Sequence, residues 1–385
     1  MSWERIPLSE IAVFSNGVNF DKTAYSAGVK LISVSDFGNR FSPDYEGLQE
    51  VSENVVRTGD YLKNGDIVFV RSNGNKEFVG RCMLIDNPQY PVTYSGFCIR
   101  ARIRDNCKYN PVFFTYYFKS KAFRKAMSGN AVGANIQNLS QGRLSNHVVY
   151  VPDIDIQNKI ASVLSAYDNL IENNQKQIKL LEEAAQRLYK EWFVDLRFPG
   201  YKTTPVIGGI PDGWTEGALI NLAQFKRGKT ITKDQVHSGA IPVVAGGLEP
   251  AYYHDIYNTD APVITVSGSG ANAGFTRMYY TRVWASDCSY VDASTTKDVA
   301  WIYCFLKGNK AGINLLQKGA AQPHVYAKDL NAMKAIIPCN DVMEQFRIMA
   351  EPMFAEIGKL DAQIKLLAEA SNRLLLKLMN GELEV

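Results

Sequence analysis

Residues 160–192 carry apolar side chains at alternating +4 and +3 steps: Ile160, Leu164, Tyr167, Ile171, Asn174, Ile178, Leu181, Ala185, Leu188 and Trp192, with Asn174 the one strongly polar member. A mean spacing of 3.5 residues held this long keeps one stripe of an α-helix facing a partner helix. The stretch therefore predicts a coiled coil rather than a helix lying on a globular core. The partner lies in the same chain. Met353, Ile357, Leu360, Ile364, Leu367, Ser371, Leu374 and Leu378 repeat the steps, each 186 positions after its counterpart between Tyr167 and Trp192. Identities hold the register: residues 177–181 read the same as 363–367, and Glu183, Ala184, Arg187 and Leu188 recur as Glu369, Ala370, Arg373 and Leu374. The expected seam is Ile171, Ile178, Leu181 and Leu188 against Ile357, Leu360, Ile364, Leu367 and Leu374.

The duplication begins earlier. At an offset of 211, Trp3, Leu8, Ile11, Ala12, Phe14 and Gly17 meet Trp214, Leu219, Leu222, Ala223, Phe225 and Gly228. The spacing reads as a short helix ending at a glycine C-cap. Strands are expected at residues 29–34 and 240–244, and again at 65–74 and 261–270, where each runs into a glycine-containing polar turn. Further strands at 94–103 and 284–291 precede aromatic helical segments near 112–127 and 299–316. A loop at 138–140 or 324–326 then leads to a strand closing at Pro152 or Pro338. Asp153 or Asp341 can cap the helix that follows, with Gln157 and Gln345 matched behind the prolines. Residues 198–213 are rich in turn formers and short of periodicity, which suits a linker.

The order is globe (1–152), long helix (153–197), linker (198–212), globe (213–338), long helix (339–385). The fold class expected is α+β: two similar globes joined by two long antiparallel coiled-coil helices with pseudo-twofold symmetry. Antiparallel pairing follows because the linker delivers the second globe at the far end of the first helix. About 33 residues at about 1.5 Å each make that helix about 50 Å long.

Composition narrows the class. A chain of 385 residues suits two or three domains. Six cysteines at no metal-ligand spacing and only four histidines give a zinc site almost no support. No residue is assigned to a metal or cofactor, and the thiols read as reduced and structural. The N-terminal residues lack an apolar h-region, and no run suits a membrane span, so a cytoplasmic protein is expected. Residues 1–150 hold 18 Lys and Arg against 13 Asp and Glu, and 205–338 hold 12 against 10; residues 151–200 hold 6 against 8, and 339–385 hold 5 against 8. Globes lean basic and helices lean acidic.

Taken in order, the doubled opening from Trp3 to Gly17 and Trp214 to Gly228, Pro152 with Gln157, Pro338 with Gln345, the heptads, and Trp192-Phe193-Val194-Asp195 leading to Ile210-Pro211-Asp212-Gly213-Trp214 resemble the specificity subunit of a Type I restriction-modification system. The resemblance covers essentially the whole chain. It implies that each globe is a target-recognition domain reading half of a bipartite DNA site, and that the helices fix the spacer and dock DNA methyltransferase subunits. Restriction subunits would join through the complex, and the chain would carry no catalytic residues of its own.

The residues themselves suit double-stranded DNA. Arg100, Arg102, Lys121, Arg124 and Lys125 belong to a basic stretch interleaved with aromatics, where cations can neutralise phosphates and arginine can fork onto guanine. Alternate arginines at 100, 102 and 104 could equally line the wet face of a strand, and the aromatics suit a core. The glycine turns offer Arg71, Asn73 and Lys76 in one half and Ser269, Asn272 and Arg277 in the other, on backbone that can approach closely. Lys226, Arg227, Lys229 and His324 complete the candidate DNA contacts. Acidic Glu172, Glu182 and Glu183 are expected to face water or partner subunits. Two other readings stay open: a coiled-coil scaffold whose globes bind protein or carbohydrate, and an enzyme with its site at a globe–helix junction. The Gly228-Lys229-Thr230 run lacks the strand and first glycine of a P-loop, and Gly268 to Gly274 misses the dinucleotide fingerprint.

Overall fold

The computed structural model describes residues 3–38, 40–75, 77–128, 137–319, 322–379 and 381–383. They form two compact units, residues 1–172 with 365–385, and residues 173–364. The division cuts through both long helices, because each globe takes with it the helix segments packed on it. Among the described residues no helix is long and apolar enough to cross a membrane.

In the first unit a four-stranded antiparallel sheet runs in the order Ala12–Asn16, Cys98–Ile103, Ile67–Val70, Cys82–Leu84. A three-stranded sheet places Tyr25–Ile32 between antiparallel Gln49–Val51 and parallel Val92–Tyr94. Glu4–Pro7 pairs with Val148–Val151. The second unit repeats this plan strand for strand. Its four-stranded sheet is Lys226–Arg227, Cys288–Asp292, Val263–Ser267, Thr276–Tyr279, and Ile241–Val244 lies between antiparallel Tyr252–His254 and parallel Trp284–Ala285. Thr215–Ala218 closes on Lys334–Ile337.

The stretches at 94–103 and 284–291, expected as one strand each, are two. In both units the chain leaves the three-stranded sheet, turns at residues 95–97 or 286–287, and enters the four-stranded sheet. This crossing explains the matched glycines, which are not helix C-caps. The opening helix ends at Ile11, and the chain continues as a strand with Ala12 and Phe14 buried and Val13 exposed. Gly17 then passes the crossing so closely that a Cβ would lie 2.2 Å from the Tyr94 carbonyl oxygen; on Gly228 it would lie 2.2 Å from that of Ser286.

Aromatic helices supply much of each core. Asn110 caps Pro111–Lys119 by accepting from the Val112 and Phe113 N–H groups at 2.8 and 3.1 Å, and Phe113, Phe114 and Phe118 are fully buried beneath it. Val299–Gly308 fills the core of the second unit, without a side-chain cap, and Trp301 stacks on Phe305 at 5.4 Å.

The two long helices are Ile154–Tyr189, extended by a π turn Lys190–Val194, and Asn340–Met379. In the first unit Ile160, Ala161 and Leu164, at the start of one, share a cluster with Leu374, Leu378 and Met379, at the end of the other. In the second, Ala185, Tyr189 and Trp192 cluster with Val342, Met343 and Phe346, so the end of one meets the start of the other. Both pairings are antiparallel. Of the seam residues, Ile357 and Leu360 are buried, and Ile171, Ile178, Leu181, Leu188, Ile364, Leu367 and Leu374 are half-buried. Asn174 is buried on the seam and donates to Gln363 Oε1 at 3.2 Å, a polar pair that fits one register and penalises others.

Asp153 caps the first helix, accepting from the Ile156 N–H at 3.0 Å. Gln157 is buried, donating to the carbonyls of Pro152 and Lys108 and accepting from the Asn110 N–H. Its expected match does not share this role: Gln345 is exposed, and Asp341 sits inside the first helical turn rather than at the cap. Met343, 186 positions after Gln157, is the buried counterpart. The expected linker is ordered too. Phe198 is buried against Trp214 at 4.8 Å, and Val206–Ile207 pairs with Ile210–Pro211 through Gly208 and Gly209, whose φ angles of 60° and 87° suit a type I′ turn.

Gly17→Ala or Gly228→Ala forces a methyl group onto a neighbouring backbone oxygen and is expected to destabilise its unit by about 1–3 kcal/mol, seen as a lowered melting temperature. Burial pushes Cys82 up to about 11 and Cys98, Cys288 and Cys304 up to about 12, whereas Cys107 is exposed. Iodoacetamide at pH 8 should therefore label Cys107 in the folded protein and these four only after denaturation, as read by peptide mass.

Candidate nucleic-acid interface

Most arginines of the first globe's basic stretch are fastened inside it. Arg100 is 7% exposed and donates from Nη1 to the Gly59 carbonyl at 2.8 Å. Arg102 forks onto buried Asp66 at 2.7 and 2.6 Å and reaches the Tyr61 carbonyl at 3.0 Å. Both expected DNA contacts thus act as clamps between strand Cys98–Ile103 and residues 59–66. The reason is the sheet: Arg100 and Arg102 share a face, and the loop between the strands covers it. Arg104 donates to the Ser9 carbonyl at 3.0 Å. Arg124 donates to the Glu77 carbonyl, and burial lowers its pKa. Lys121 and Lys125, on helix Lys121–Ser128, are exposed.

The glycine turn of this globe is tied to the loop near Asn138. Strand Ser72–Asn73 pairs with Gln137–Asn138, and Asn73 Oδ1 accepts from the Asn75 N–H at 2.7 Å. Arg71 donates from Nη1 to the Gly96 carbonyl at 3.1 Å. Lys76 lies outside the described residues. Beside Arg71 stands Phe97, 63% exposed, its carbonyl receiving the Arg71 N–H at 2.8 Å. Sequence reasoning missed it because residues 94–103 read as one strand, in which a phenylalanine needs no explanation.

The second globe makes the same junction. Ser269 bridges His324 as Asn73 pairs with Gln137, and Lys318 bridges His324 from the other side. Here Arg227, Ser269, Asp287, Gln322 and His324 line a cavity of about 230 Å³. Ser269 Oγ donates to Asp287 Oδ2, and Arg227 Nη2 stands 3.9 Å from Asp287 Oδ1. The His324 ring stacks on Tyr326 at 5.9 Å, nearly parallel. The structure thus gathers Arg227, Ser269 and His324 and adds Asp287. An acid has no place in a search for phosphate-binding cations, so a reading by charge passes over it. Lys226 is exposed on the same strand as Arg227, and the Lys229 ammonium lies 5.9 Å from the Trp284 ring centre. Arg277 is committed elsewhere, donating to the Leu248 carbonyl at 2.9 Å with Glu249 at 3.5 Å. Asn272 is half-buried in the turn Gly270–Asn272.

Folding also assembles His237, His254 and Asp255, whose ligand atoms lie within 4.8 Å of one another. The His254 Nδ1 already accepts from the His237 backbone N–H at 3.1 Å, which gives this buried ring a structural role. Of the three acids expected to face outward on the first long helix, Glu183 is exposed, while Glu182 is half-buried and accepts from the Tyr303 hydroxyl at 3.5 Å.

Residues 2–183 match the family model for the Type I restriction modification DNA specificity domain. The chain is 26% identical over 302 residues to the MjaIX specificity subunit of Methanocaldococcus jannaschii, covering 71% of this chain and 69% of that one. It is 25% identical over 240 residues to the HindI specificity subunit of Haemophilus influenzae, covering 59% of this chain and 48% of that relative. The fold resembles the crystal structure of a Type I restriction-modification S subunit from M. genitalium, with a TM-score of 0.62 at 15% identity over 98% of this chain and 96% of that one.

The Arg102–Asp66 clamp generates a test of its own. Asp66→Ala leaves the half-buried Arg102 guanidinium without its acid and should destabilise the first globe by about 1.5–3 kcal/mol, measured by chemical denaturation. Lys121→Ala, on an exposed helix face, should stay within about 0.5 kcal/mol.

Proposed function

We propose that the chain belongs to the Type I restriction-modification DNA specificity family, and that globes 1–152 and 213–338 each read one half of a bipartite site in double-stranded DNA. The long helices hold the two readers at a set separation and dock DNA methyltransferase subunits, through which restriction subunits join. Chemistry on the DNA belongs to those partners, and this chain supplies recognition. A DNA target places the complex in the cytoplasm.

One observation carries this reading. The same scaffold builds the same backbone junction twice and places different residues on its glycine-turn strand: Asn73, paired with residue 137, in one globe, and Ser269, bridged to His324, in the other. Equal scaffolds with unequal linings suit two half-sites of different sequence. Supporting it, Lys121 and Lys125 on one globe and Lys226 and Arg227 on the other leave cations exposed for phosphates. Docking on the helices is favoured by a matched pair of apolar side chains: Leu180 and Leu366, 186 positions apart, are 64% and 66% exposed. Duplicated leucines left in water suit burial by two copies of one partner.

Co-expression with cognate methyltransferase subunits and mapping of methylated sites should give a split motif. Removing one heptad from both helices shortens them by about 10 Å at about 1.5 Å per residue, and the spacer should contract by about 3 bp at about 3.4 Å per base pair. A spacer of unaltered length in an assembled, active complex would refute the ruler.

A further inference from the structure

We infer that the cavity of the second globe reads the major-groove edge of a C·G base pair, with Asp287 accepting from the cytosine amino group and Arg227 donating to the guanine. This rests on the DNA-reading role proposed above and adds the residues and the base pair.

Charge decides first what the cavity is not. A phosphate held there would meet the Asp287 carboxylate beside Ser269, and the repulsion would offset what Arg227 contributes. An acid in a site beside Arg227 selects for a hydrogen-bond donor on the ligand. The pairing of Arg227 with Asp287 does not hold the fold together. Their side chains are 69% and 38% exposed, and 3.9 Å between nitrogen and oxygen is too long for a hydrogen bond. An exposed pair of that kind contributes little to stability.

Asp287 is nevertheless aimed. Ser269 Oγ holds one carboxylate oxygen, and the Gly268 N–H donates to the Asp287 carbonyl at 3.2 Å, so the other oxygen stands beside Arg227 in a fixed direction. The site therefore presents an acceptor next to a donor fork. A C·G pair presents the complement: the cytosine N4 amino group beside guanine O6, hydrogen-bonded to each other at about 2.9 Å, with guanine N7 on the outer side for the second arm of the fork. An A·T pair also sets an amino group beside a carbonyl. Beyond that carbonyl, however, it offers the thymine methyl group, which gives the fork nothing to bind.

The test uses the full chain in its complex with methyltransferase subunits, with methylated sites mapped for wild type, Asp287→Asn and Arg227→Ala. A chimera carrying residues 1–152 in both globe positions identifies the half-site owned by the second globe, because that half disappears. We expect that half to contain a C·G pair. Asp287→Asn should relax discrimination at that pair alone by about 5- to 150-fold, the range one good base contact supplies, with the first half-site unchanged. Arg227→Ala should relax the same position. Melting curves matching wild type confirm that each variant is folded. A second half-site without a C·G pair, or a motif unaltered by both variants, overturns this assignment while leaving the split-site reading intact. A chimera that keeps both original half-sites overturns the split-site reading itself.

Discussion

Each globe is closed by two helical segments that come from far apart in the chain. In the first unit Ile160 and Leu164 share their cluster with Leu374 and Leu378, more than two hundred residues later in the chain. In the second, Tyr189 and Trp192 meet Phe346. Fully burying an apolar side chain of this size contributes about 1.5–3 kcal/mol, so several together oppose the loop-closure entropy of such distant contacts. Neither unit is complete without the C-terminal half of the chain: the last helix ends in the first unit and begins in the second.

The sheets inherit their constraint from the crossing between them. A single run passes from a three-stranded to a four-stranded sheet and lets the opening strand slip by at a glycine. The parallel bridge of Val18 with Ser95 and the hydrogen bond from the Gly228 N–H to the Cys288 carbonyl mark that contact in the two units. Both matched glycines are kept for space against backbone oxygens. The proposed recognition surface lies beside this crossing, where Phe97 and Asp287 occupy the turn itself. A turn pinned by two sheets supports exposed side chains more firmly than a free loop does, which suits the proposed meeting with a base edge in one orientation.

Legibility followed the range of the interactions. The heptad seam could be read because helix pairing imprints its period on consecutive residues, and the doubled opening could be read because identity survived at fixed offsets. The basic stretch misled. Periodicity shows that Arg100 and Arg102 share a strand face, but whether that face meets water depends on the segment folded over it, and Asp66 sits on that segment. Gln345 misled for a related reason. It is the counterpart of Gln157 by distance from a proline, but helical register assigns that place to Met343.

The sequence by itself determined that the chain is a duplicate, that two long helices pair through a 3.5-residue seam, and that each half carries an α+β globe leaning basic. Those properties are local or periodic, written in neighbouring residues. Only the tertiary structure decided which cations are committed and which are exposed, that the 94–103 stretch serves two sheets, and that Arg227, Ser269, Asp287 and His324 line one cavity. Those four come from strands and turns separated by as many as 97 positions, and no spacing rule connects them. Their meeting is a consequence of sheet register, which depends on the packing of the whole globe.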